Sequence, residues 1–236
     1  MRTRAWAVGR ACGLTVLICA TGSAGAAEAA AAYPAMAPIG RYLMPTPADE
    51  IALARSAAPA SIAGDADVMT LGGHGYETAA KGKNGFVCMV WRSWTAGFDD
   101  PEFWNPKLRA PICLNAAAAR SVLPGYLERT NWVLAGVSRT DMIARTRAAV
   151  AAKTFTLPAP GAMSYMMSKQ GYLGDAAGHW HPHLMFFLPR TDSGAWGANL
   201  GGSPVIAAQG DPEPTTTFFV LVPKWSDESP AVTEKH

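Results

Sequence analysis

"DVMTLGGHGYETAAKGKNGFVCMVWRSW" (residues 67–94) is the stretch on which the fold turns. It holds three short strand-like runs, separated by Gly72-Gly73-His74-Gly75 and by Asn84-Gly85. Asn and Gly tolerate the positive φ that tight hairpin turns need, so Asn-Gly between two such runs signals a hairpin. The pattern predicts strands over 68–71, 76–80 and 86–93, joined as a meander.

Working outward, "TAGFDDPEFWNPKLRAPICL" (95–114) carries three prolines and an Asp-Asp pair and reads as one long irregular loop. Helices surround this region. Thr46 is placed to cap one, with Pro47 in its first turn, Asp49 at the capping-box position and Pro59 beyond its end. Asn115 caps "AAAARSVL", Pro124 divides it from "GYLERTNWVLAG", and Gly136 closes that segment. Ser138, with Asp141 three residues on, caps "RTDMIARTRAAVAAK", where Met142, Ile143, Ala149 and Val150 share a face. Strands return over 163–168, 183–188, 205–208 and 216–222. Strands, then helices, then strands, without β-α-β alternation or internal repeats, predict an α+β fold. Its sheet is mainly antiparallel, with a helical layer of about three helices inserted between two strand-rich segments.

The ends of the chain bear on compartment. Arg2, Arg4 and Arg10 precede a short apolar run, and Ala24-Gly25-Ala26 follows as a small-x-small site, the pattern of an export signal over 1–26. Cleavage there removes three arginines and no acid, so the formal charge falls from +2 to −1. No basic cluster suited to nucleic acid remains, and no membrane anchor is expected in the mature chain. The expected organisation is a signal peptide over 1–26, a flexible Ala/Pro-rich lead-in over 27–45, a single α+β domain over 46–225 and a disordered polar tail over 226–236. Of four cysteines, Cys88 and Cys113 survive cleavage. In a periplasmic or secreted protein an even pair is most simply one disulfide.

Candidate chemistry centres on "GHWHPHLMFFLPR" (178–190). On an extended chain His179, His181, His183, Met185 and Phe187 share one face, and the run beyond His183 is apolar on both faces. Side chains two apart start about 6.5–7 Å from each other and can reach one ion; those four apart start roughly 13 Å away and cannot unless the chain bends at Gly178 or Pro182. A divalent metal such as zinc would therefore take His181 and His183, with His179 or His74 as further candidate ligands. Asp175 and Glu77 are the candidate catalytic carboxylates, and three protein ligands plus a water would complete a catalytic zinc site. Asp99, Asp100 and Glu102 on the 95–114 loop are further general-base candidates.

The aromatics Trp91, Trp94, Phe98, Phe103 and Trp104 can act as loop anchors or as a platform for an apolar ligand beside those acids. Met163, Met166 and Met167 suit core filling, with copper binding the alternative in an exported protein. No Gly-x-Ser-x-Gly elbow, phosphate-binding loop, Cys-x-x-Cys or haem-attachment motif is present. The histidine pattern resembles that of cell-wall-lytic metallopeptidases, which join an early His-x-x-x-Asp to a late His-x-His. Here the early element, His74 to Glu77, is one residue short and carries Glu for Asp, and the acid that cupins place after their His-x-His is missing. The sequence thus offers two expectations: a metal-dependent hydrolase acting on envelope or extracellular material, or a non-enzymatic exported domain that binds a small-molecule or cell-envelope ligand and whose histidines are structural.

Overall fold

Local capping sets three of the helices. The computed structural model describes residues 33–175 and 181–231, so His179 lies outside it. Thr46 Oγ1 accepts the Asp49 N–H at 3.1 Å and starts α1 (Pro47–Arg55). A short α2 (Ala60–Ala63) follows. Asn115 Oδ1 accepts the Ala118 N–H at 2.9 Å and starts α3 (Ala116–Ser121). Pro124 sits in the first turn of α4 (Leu123–Leu134), where a missing N–H costs nothing. Gly136, at φ +71°, lets the Val137 N–H turn back to the Trp132 carbonyl at 2.9 Å and end that helix. Ser138 Oγ accepts the Asp141 N–H at 3.1 Å and starts α5 (Arg139–Ala151).

Among the described residues eight strands form one sheet: β1 (Asp67–Gly72), β2 (Gly75–Ala80), β3 (Val87–Trp91), β4 (Ala110–Leu114), β5 (Met163–Met166), β6 (His183–Pro189), β7 (Val205–Gln209) and β8 (Thr215–Leu221). Their order is β2-β1-β3-β4-β5-β6-β8-β7, and β1 with β3 is the parallel pair in an otherwise antiparallel sheet. The class is α+β. Helices α3 to α5 separate β4 from β5 in the chain, while α1 and α2 precede β1.

The expected meander is corrected at its second turn. β1 and β2 do form a hairpin, but β3 lies on the far side of β1 and runs parallel to it. Residues 81–86 fold across the start of β1 instead of turning back on β2. Asp67 accepts the Gly82 N–H at 2.8 Å, and the Asp65 carbonyl accepts the Lys83 and Asn84 N–H groups. Asn84 spends its side chain on the Ile62 carbonyl and the Phe86 N–H. These contacts replace a two-residue hairpin turn.

The expected irregular loop over 95–114 ends in β4, a central strand. Pro111 is tolerated there because the ladder to β5 takes only Cys113 and Leu114, and the Val90 carbonyl opposite it accepts the Tyr76 hydroxyl at 2.6 Å. The lead-in is likewise packed from residue 33 onward: Tyr42 is buried, and its hydroxyl donates to the Trp104 carbonyl at 2.9 Å. Within the tail, the Ser226 N–H donates to the Met167 carbonyl at 2.9 Å and Asp227 pairs with Lys169 at 2.9 Å.

Alternation gives the sheet two faces. Cys88, Val90 and Cys113 pack under α1 and α2, and Cys88 and Cys113, directly opposite in register, are joined by a disulfide. Met89, Trp91, Ile112, Leu114, Met166, Met185 and Phe187 point to the other face, towards α3 and α4. A third cluster buries Trp94, Phe98, Phe103 and Trp104 against Tyr42 and Trp132, so those loop aromatics are anchors. No helix among the described residues is long and apolar enough to cross a membrane.

Candidate functional site

Beyond α3 and α4, the inner face of β6, β8 and β7 is left partly uncovered, and it forms the floor of a cleft of about 510 Å³. Strand register builds this floor in rows. Met166, His183 and Leu221 align across β5, β6 and β8; Met185, Phe219 and Ile206 form the next row; Phe187, Thr217 and Ala208 form the third. All of them line the cleft, together with His181 just before β6. Trp91 and Ala110 close the β3–β4 end, while Thr95 to Gly97 and Asp100 bring in the loop after β3. Tyr126 on α4 reaches the cleft with its ring 4.3 Å from that of Trp91.

The loop edge is held by Arg129. Its guanidinium is buried, lies 4.2 Å over the Phe98 ring, and donates to the Trp94 and Ala96 carbonyls at 3.1 and 2.9 Å. It also pairs with Glu213, from the loop between β7 and β8, which lines the cleft. One cation therefore fastens the 94–98 segment, α4 and the β7–β8 loop together. Burial, reinforced by the Glu213 carboxylate, pushes the Tyr126 hydroxyl pKa well above its ordinary value, so it stays protonated. No acidic hydroxyl arises there.

The described histidines divide between two distant places. His183 is buried, its Nδ1 is 2.8 Å from the His181 carbonyl, and its ring lies 5.5 Å from that of Phe219. Desolvation holds its pKa below the ordinary imidazole value, with the His181 charge a smaller contribution in the same direction. His74 and Glu77 are exposed at the β1–β2 hairpin. From β1 to β6 is four strand steps, roughly 19 Å along the sheet at about 4.8 Å per step. Neither residue joins His181 and His183. Asp175 accepts hydrogen bonds from the Tyr33 and Tyr172 hydroxyls and pairs with Lys107 at 3.5 Å. Those bonds, the Tyr172 one foremost, hold its carboxyl pKa below the usual range. Among the described residues no group of three or more His, Cys, Asp or Glu side chains could hold a metal ion.

Sequence alternation correctly placed His183, Met185 and Phe187 on one face. Phe186 on the opposite face is 36% exposed, so the second half of β6 is buried on the cleft side more than on both. The sequence did not single out Arg129, Glu213 or the contributions of β7 and β8. The alternation in "VIAAQ" and "TTTFFVL" was the available signal, but only the fold aims it at a cavity. Comparison with protein-family models, curated proteins and solved structures finds no match to the chain.

Proposed function

We propose that this protein is a non-enzymatic binding module for an apolar small molecule, held in the cleft between the β6–β8–β7 face and the 95–100 loop, and that it works in the periplasm or outside the cell. The observation that carries the reading is the cleft itself: about 510 Å³, floored by Met166, Met185, Phe187, Ile206 and Phe219. Cavities of this size with mainly apolar walls and a few polar groups are the usual form of a small-molecule site. Export is supported by the basic-then-apolar N-terminal pattern and by the disulfide. The zinc-dependent hydrolase expectation rests on the His181 and His183 imidazoles, and among the described residues His74 and Glu77 stand strands away from them. His183, tied to a backbone carbonyl and buried among strands, serves packing in this reading.

The test is fluorescence titration with a neutral apolar probe, N-phenyl-1-naphthylamine. Saturable one-to-one binding is expected, weakened about tenfold or more by Ala208→Trp, which places an indole over an exposed position of the cleft wall. Absence of saturable binding, or an unchanged affinity in that variant, overturns the reading.

A further inference from the structure

The cleft carries an uncompensated charge. Glu213 is neutralised by Arg129. Asp100 also lines the cleft, half-buried, and no basic side chain among the described residues pairs with it. Its Oδ1 accepts the Glu102 backbone N–H at 2.7 Å, a turn contact that fixes the carboxylate without cancelling its charge. Arg129, which holds the loop edge of the cleft, is committed to Glu213, to two backbone carbonyls and to the Phe98 ring. The same cleft is lined by the Trp91 and Tyr126 rings, 4.3 Å apart, and aromatic ring faces attract cations.

We propose that the cleft selects an apolar amine: a hydrocarbon or ring body bearing one protonated nitrogen, which pairs with Asp100 while the body lies along the β6–β8–β7 floor. This rests on the binding reading above and specifies its ligand. A carboxylate or phosphate head would meet a like charge, with no lysine or arginine among the described cleft-lining residues to receive it, and a neutral head would leave the Asp100 charge unused. Part of the site lies out of water, so the pairing is worth more than an exposed surface ion pair.

Dodecylamine, dodecanol and dodecanoate share one chain length and differ only in the head, so their ability to displace N-phenyl-1-naphthylamine isolates the charge. The amine is expected to bind about tenfold more tightly than the alcohol and the carboxylate more weakly than either, with the amine's advantage shrinking as salt is raised. In Asp100→Asn, which keeps an oxygen for the Glu102 N–H and removes the charge, the amine should fall to the affinity of the alcohol while probe binding is retained. Equal binding of amine and alcohol, preference for the carboxylate, or an amine advantage that persists in Asp100→Asn overturns the proposal and leaves the apolar cleft standing. Failure of the probe itself to bind overturns the cleft reading, a separate result.

Discussion

Asn199 shows how much one side chain can settle. It sits at φ +61°, and its amide pairs with both backbone groups of Ala207, Nδ2 donating to the carbonyl and Oδ1 accepting the N–H, each at 2.9 Å. Its own N–H donates to the Val205 carbonyl at 3.0 Å, and Ser203 Oγ accepts the Val205 N–H at 3.2 Å. The outer edge of β7 is thereby occupied, which blocks pairing with another chain. Asn199→Ala is expected to cost about 1–2 kcal/mol from the two lost bonds and to raise self-association. Urea unfolding and sedimentation velocity check this; a variant that associates no more than the parent contradicts the edge-protecting role. His183 carries a second residue-scale prediction. Its folded pKa lies below its ordinary 6.5, so the unfolded chain takes up the proton first as pH falls. Its contribution to stability is intact above about 6.5 and is lost as pH drops from there towards the folded value. Urea melts at pH 7.5, 6.5 and 5.5 should show this decline in the parent and a shallower one in His183→Gln. Capping residues such as Thr46, Asn115 and Ser138 were legible because cap and target lie three residues apart. Asn199, acting 8 residues away, and Arg129, acting 84 residues away on Glu213, were not, because their partners are brought together only by the sheet.

At the scale of elements, period-2 alternation found seven of the eight strands, and capping found the main helix starts. β4 was hidden by Pro111, which normally argues against a central strand and is accommodated here because β5 pairs only with the far end of β4. Pairing order was hidden for a different reason. Asn84-Gly85 is chemically suited to a hairpin, yet the hydrogen bonds that decide the crossing come from Asp65 and Asp67, upstream of β1 and at its first residue. Gly82 makes that crossing possible: a Cβ there would lie 2.1 Å from the Asp65 carbonyl oxygen. Backbone cannot yield as a flexible side-chain tip does, so Gly82→Ala should destabilise by more than about 2 kcal/mol, well beyond the effect of Gly→Ala at an unconstrained turn. Equilibrium urea unfolding measures it. A loss under about 0.5 kcal/mol would mean the 81–86 segment takes another route and would reopen the parallel pairing of β1 with β3.

The whole molecule divides its tasks between the two faces of one sheet. On one face, α1 and α2 bury the Cys88–Cys113 disulfide that links β3 to β4; on the other, β6, β8 and β7 carry the cleft floor. The compositional traits behind this, an even cysteine pair and alternating apolar strands, are visible in the sequence, but which face holds a cavity is a property of how many helices cover it. This separation predicts that stability and binding respond independently. The bridge closes 25 residues, and removing it in Cys88→Ser/Cys113→Ser should lower the unfolding free energy by about 3 kcal/mol. Under conditions where the variant remains folded, its affinity for N-phenyl-1-naphthylamine should match the parent, since neither cysteine lines the cleft. EDTA should likewise leave probe affinity unchanged, because the proposed ligand contacts are apolar walls and the Asp100 carboxylate. A severalfold loss of affinity on removing the disulfide would show that the helix-packed face sets the geometry of the cleft. The same loss on chelation would return His181 and His183 to the centre of the function as metal ligands.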